Sequence, residues 1–258
     1  MSHYPVAVFT FDDEQSIGDL FAPYDESLQV APYVSRTKEQ IIQDEKAHFR
    51  AAFLGNYSKW KHEAKSAAKH FNPEYIEYLK TIPDRMKWSD EKIYQDAING
   101  REDELNENGD ILSTYNPNSK WDWRVIGGRW RDMLITKGDA KSCDAAFVTD
   151  IDFEAMQRQS AAEIRPYEDA MKNSYMKEKY MRERYPTEAE YIKCVTAFST
   201  YAVITPNGEW HAAGQMGWWG FSSETPEEAR AWEHDYCERF IQPAIEYGLY
   251  LTIFDCHI

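Results

Sequence analysis

Apolar positions in this chain follow two rhythms. Residues 5–11 (PVAVFTF) are β-branched and aromatic and stop at Asp12-Asp13-Glu14, which predicts a strand ending in solvent. Residues 20–34 (LFAPYDESLQVAPYV) hold two prolines and mixed polarity and read as an ordered loop. The rhythm then changes to helical spacing. Thr37 and Gln40 form a capping box ahead of Ile41, Ile42, Phe49, Phe53, Tyr57 and Trp60, the stripe of a long helix. Asn72-Pro73 opens a second helix with Tyr75, Ile76 and Leu79 inward, and Ser89 caps a third that ends near Asn99-Gly100. Residues 101–110 (REDELNENGD) have no apolar face and predict a charged loop.

From Ile111 the pattern is strand-like. Residues 111–115 and 121–126 read as strands around the turn Asn116-Pro117-Asn118-Ser119. Gly127-Gly128 permits a bulge or sharp bend before Arg129-Trp130 and the apolar run 133–135. Residues 145–151 predict another strand. Residues 154–184 predict one long helix with Met156, Ile164, Tyr167, Met171 and Tyr175 as its apolar stripe. Residues 197–205 and 209–212 flank Pro206-Asn207-Gly208, a hairpin signal. Thr225, Pro226 and Glu228 start a helix that continues through Ala229, Trp232, Tyr236 and Phe240, and residues 249–254 (LYLTIF) predict a buried strand. Together these elements predict a single α+β domain over 1–258: one mainly antiparallel sheet with helices packed on one face, and a helical insertion or subdomain at 37–100.

Composition narrows the function classes. The chain has 258 residues, 43% of them hydrophobic, enough for a substantial core. Its 29 Lys+Arg against 44 Asp+Glu give a net charge of −15, which argues against general nucleic-acid binding and against adhesion to anionic membranes. No apolar run reaches membrane-spanning length, and MSHYPVAVFT lacks the basic start and apolar stretch of a signal peptide. Four cysteines are too few for a disulfide scaffold, so a cytoplasmic location is expected.

Candidate chemistry concentrates in three places. Trp121, Trp123 and Trp130 fall within ten residues, interleaved with Lys120, Asp122, Arg124 and Arg129 and hinged by Gly127 and Gly128. On a strand, Trp121, Trp123 and Val125 would share one face, with Asp122, Arg124 and Ile126 on the other. Indole rings beside guanidinium groups suit a planar anion such as a nucleotide, the base stacking while Arg holds phosphate. The structural alternative is that the Trp side chains fill a core and Arg packs over them. A second cluster, Trp210-His211 followed by Gly214 to Gly220 with Trp218 and Trp219, predicts a shaped loop over a ligand or partner, or a plug on the sheet. Third, Asp255 and His257 sit two apart and share one strand face if the chain stays extended beyond 254. If the first and last strands are neighbours, His3 joins them as a His/His/carboxylate set for a divalent metal ion. Weaker metal candidates are Asp150 with Asp152, and His234 and Cys237 with Cys256. Signatures of serine hydrolases, P-loop NTPases, zincins and dinucleotide-binding proteins are absent from the sequence.

The residues Met1-Ser2-His3, Leu20 to Glu26 (LFAPYDE), Tyr115 to Trp123 (YNPNSKWDW), Ile126 to Trp130 (IGGRW), Gly217-Trp218-Trp219 and the closing Asp255-Cys256-His257-Ile258 carry a resemblance to a family of uncharacterised bacteriophage and prophage proteins. The resemblance spans nearly the whole chain, with 37–100 variable, and implies origin rather than mechanism. Three functions are then expected in order. The first is a phage-encoded binding protein that interferes with a host process, such as a defence system, through a Trp/Arg-rich pocket for a host protein or a nucleotide-like molecule. The second is a metal-dependent hydrolase or transferase acting on a nucleotide-like substrate, with His3, Asp255 and His257 on the metal. The third is an acidic DNA mimic, disfavoured because the acidic clusters are short.

Overall fold

A computed structural model describes residues 2–12, 15–62, 71–138, 141–172, 176–217 and 221–258. Its strands are β1 (His3–Thr10), β2 (Tyr33–Arg36), β3 (Ile111–Ser113), β4 (Trp123–Ile126), β5 (Leu134–Ile135), β6 (Ser142–Cys143), β7 (Ala145–Phe147), β8 (Ala202–Ile204), β9 (Trp210–Ala212) and β10 (Tyr250–His257). The chain divides into two compact units, one made of residues 1–28 with 116–258 and the other of 29–115. The fold is α+β, with a mixed, mostly antiparallel sheet.

In the first unit the two ends of the chain make the sheet's centre. β1 runs antiparallel to β10 from His3↔His257 to Thr10↔Tyr250, and its other side pairs parallel with β8. β4 and β7 lie one after the other along the far side of β10, and β9 closes the opposite edge against β8. Because β1 and β10 are buried on both faces, their side chains alternate between two cores. Ala7, Phe9, Val203, Leu251 and Ile253 pack beneath Trp232, Tyr236, Phe240 and Ala244 of the helical segment that begins at Pro226. Tyr4, Val6, Val8, Ile204, Phe254 and Cys256 face the other way, against Leu20, Phe21, Trp121, Trp210 and Met216. Fully burying side chains such as Phe9 or Phe21 contributes roughly 2–3 kcal/mol each.

Local signals account for the covering helices. Thr225 and Glu228 form a reciprocal capping box with Pro226 in the first turn. The segment expected to form one helix over 154–184 is instead broken into Phe153–Glu163, Tyr167–Lys172 and Glu178–Arg184. Pro166 disfavours helical geometry at Arg165 and ends the first of these. Met156 goes to the main core, whereas Ile164, Tyr167 and Met171 form a separate small cluster with Tyr185 and Tyr191. Tyr175 lies outside the described residues. The loop expected at 20–34 also carries structure: Ser16 caps a short helix, Ile17–Phe21, whose Leu20 and Phe21 are buried, and Tyr33 begins β2.

The second unit holds the antiparallel pair β2–β3 and the helices Lys38–Ala52, Ser58–His62, Pro73–Arg85 and Asp90–Ile98, with a π turn at Phe53–Tyr57. Thr37 with Gln40, Asn72 and Ser89 cap three of these helices. Ile41, Ile42, Phe49, Leu79, Ile82 and Ile93 are buried together, with Phe53, Tyr57 and Trp60 packed against them. Among the described residues, no helix is long and apolar enough to cross a membrane.

Candidate functional site

The antiparallel register places His3 opposite His257, and the two-residue period puts Asp255 on the same face. His3 Nδ1 lies 2.8 Å from Asp255 Oδ1, and the imidazole rings of His3 and His257 meet edge to face with centres 5.1 Å apart. Asp255 is 2% exposed. A buried carboxylate costs several kcal/mol unless it is bonded. Here one oxygen faces His3 and the other accepts the Arg129 backbone N–H at 3.0 Å. That second bond requires the chain to turn sharply beside the carboxylate. Gly127 and Gly128 do so at φ +68° and +54°, and a Cβ on Gly128 would stand 2.5 Å from Asp255 Oδ2.

A second pair mirrors the first. His257 Nδ1 lies 2.6 Å from Asp122 Oδ1, and the Asp122 N–H donates to the His257 carbonyl at 2.9 Å. An ionised carboxylate only accepts, so each Nδ1 carries the hydrogen and a neutral imidazole presents a lone pair at Nε2. His257 Nε2 is buried with no hydrogen-bond partner among the described residues. Trp123 stands beside this pair, 48% exposed, its ring centre 6.0 Å from that of His3.

His3, Asp255 and His257 do meet, but both Nδ1 atoms and both Asp255 oxygens are engaged by hydrogen bonds. Among the described residues no three such side chains are arranged to hold a metal ion. The weaker metal candidates also separate. Asp150 lies in a 3-10 turn, because the strand expected to 151 stops at Phe147, and Asp152 caps the following helix through Ala155 N at 2.8 Å. Cys256 is buried on the face of the sheet opposite the helix that carries His234, and burial pushes its thiol well above the usual range.

The tryptophan stretch divides between the two faces. The strand begins at Trp123 rather than at Trp121, so the predicted alternation does not apply across 121–123. Trp121 packs with the other core: its indole N–H donates to the Phe21 carbonyl at 3.2 Å, and its ring meets Phe21 edge to face. Arg124 joins it there, with its guanidinium carbon 4.4 Å from the ring centre of Phe21, 5.1 Å from Trp121 and 5.6 Å from Phe254. Trp121 and Arg124 therefore pack on the face of the sheet opposite the imidazole pair. Lys120 also belongs to that side. Its carbonyl accepts the buried Tyr4 hydroxyl, and it lines a cleft of about 500 Å³ with Tyr24, Trp210 and Glu228. Trp130 packs on the helix-covered core, and the Arg129 side chain is exposed.

His211 does not reach the imidazole pair. It sits on β9 opposite Val203, three strands from β10 and so about 14 Å away by strand spacing. Its ring lies against Phe240, with Nε2 3.5 Å from Glu209. Of the later double-tryptophan loop, Met216 packs beside Tyr4 and Val6, and the Gly217 carbonyl accepts from Ser2 Oγ at 3.0 Å. Trp218 and Trp219 lie outside the described residues. Sequence reasoning missed the pairing of Asp122 with His257, because strand parity assigned Asp122 to the wrong face. No protein-family model, no curated protein and no solved structure matches this chain.

Proposed function

We propose that the protein is a binding protein for a small planar anion of the nucleotide class, taken at the end of the sheet where Trp123, His3 and His257 come together, beside the glycine turn that carries Arg129. The observation that carries this reading is the pair of carboxylate-held imidazoles beside an exposed indole, one of them with a buried and unpartnered Nε2. The Trp123 ring offers a face on which a base stacks, worth roughly 1–3 kcal/mol. The exposed Arg129 guanidinium supplies donors for phosphate oxygens. Asp255 and Asp122 orient the two imidazoles and already have partners of their own, which reduces their repulsion of the incoming anion.

In a chain that resembles phage proteins, such a site would act in the host cytoplasm by withholding a nucleotide signal or by occupying a host protein that uses one. The test is calorimetric titration with AMP, ATP and inorganic phosphate. The expected result is nucleotide binding that Trp123→Leu or Arg129→Ala weakens at least tenfold. Neither variant should shift the melting temperature much, since both side chains are exposed and Asp255 is held by the Arg129 backbone. Nucleotide affinity unaltered in both variants, or no binding by the wild-type protein, would refute the reading.

A further inference from the structure

On the helix-covered side of the first unit lies a second candidate site, independent of the imidazole pair. A cavity of about 470 Å³ opens between the helices Phe153–Glu163 and Glu188–Thr196 and the helical segment that runs from Pro226. That segment widens into a π turn at Cys237–Ile241 before the last short helix, Gln242–Glu246. Phe153 and Phe198, with ring centres 5.4 Å apart, and Ile241 and Ile245 make most of the wall. The volume falls within the range of small-molecule sites, about 300–1,000 Å³.

Two ionised side chains line the cavity, and they are not equivalent. Glu233 is already compensated: Arg184 donates to its carboxylate at 2.6 Å and the Tyr185 hydroxyl at 2.9 Å. Lys193 Nζ has a different kind of partner, His234 Nε2 at 2.6 Å. His234 Nδ1 faces the Asp235 carboxylate at 3.2 Å, so that nitrogen carries the hydrogen and Nε2 is the neutral acceptor of the ammonium. The cavity thus presents an apolar wall and one cation whose own bond is to a neutral group. Lys193 also sits in the last turn of its helix, where the dipole favours positive charge.

We infer that this cavity binds a small amphiphilic monoanion, an apolar body ending in one carboxylate, with the body against Phe153, Phe198 and Ile241 and the carboxylate on Lys193. Decanoate, 1-decanol and decylamine share the body and differ in the head group, so calorimetric titration with the three reads the contribution of charge. Decanoate is expected to bind at least tenfold more tightly than 1-decanol, the effect of one charge-assisted hydrogen bond, and decylamine more weakly than either. Lys193→Met, at an exposed position, should abolish the preference for decanoate while leaving 1-decanol affinity within twofold. Location is read separately from Cys237, an exposed thiol on the cavity wall. Decanoate should slow its alkylation by iodoacetamide at least fivefold, as mapped by peptide mass spectrometry. Equal affinity for the three probes, no binding of decanoate, a preference that survives Lys193→Met, or unprotected Cys237 at saturating decanoate would each overturn the assignment.

Discussion

Replacing Gly128 with alanine tests how tightly the chain is held against the Asp255 carboxylate. Two effects are expected at this position. At φ +54° an L side chain costs about 1–2 kcal/mol in backbone strain. The new Cβ would also stand 2.5 Å from Asp255 Oδ2 and 2.9 Å from its Cγ, inside ordinary contact distance. Relieving that overlap costs about 1–3 kcal/mol. It also strains the bond from the Arg129 N–H to a carboxylate that has no access to compensating water. Gly128→Ala should therefore lower stability by about 2–5 kcal/mol. Gly248 in the same unit is the control: its φ is +62° and nothing lies within 4 Å of its virtual Cβ, so Gly248→Ala bears only the backbone strain. Urea unfolding followed by tryptophan fluorescence, with slopes compared to confirm equal exposed surface, gives the two differences. If the two variants fall within about 0.5 kcal/mol of each other, the close approach to Asp255 is not what requires glycine at 128.

Two further predictions concern buried ionisable groups. Glu233→Gln leaves the Arg184 guanidinium, half enclosed beside Tyr185, without its charge partner and should cost about 2–4 kcal/mol in urea unfolding. The double variant Arg184→Met/Glu233→Met should be less damaging than Glu233→Gln alone, and the opposite order would refute the argument. Burial pushes Tyr201 up to about 12 and Tyr4, Tyr185 and Tyr236 in the same direction, from an ordinary value near 10. The unfolded chain therefore loses these protons first. Their contribution to stability is fully present below pH 10 and declines as pH rises through 12. Denaturation midpoints that stay flat from pH 9.5 to 12 would contradict this, and Tyr201→Phe should make the decline shallower.

The elements most legible in the sequence are those whose signals act over four or five residues. Thr37 with Gln40, Asn72, Ser89 and Thr225 with Glu228 cap helices where their spacing predicts, because a cap satisfies backbone donors of its own first turn. The turn at 206–208 joins β8 to β9 for the same reason. Less legible were segments decided by neighbours distant in sequence. Residues 197–200 have strand-like composition, yet only Ala202–Ile204 extends as β8, where β1 supplies the hydrogen bonds. Of the apolar stripe expected over 154–184, Met156 joins the main core, whereas Ile164, Tyr167 and Met171 build a separate one.

The candidate site divides in the same way. Sequence alone determined that Asp255 and His257 would share a face in an extended chain, because alternation along a strand is a property of the backbone itself, and β10 does extend to His257. It also showed that Gly127-Gly128 permits a bulge or sharp bend, since glycine tolerates positive φ without cost. Only the tertiary structure decided that β1 lies against β10 in the register His3↔His257. Only it placed Trp121 and Trp123 on different faces and sent Asp122 to His257. Register between two strands at opposite ends of the chain is set by which side chains fill the two cores, and no local preference carries that choice.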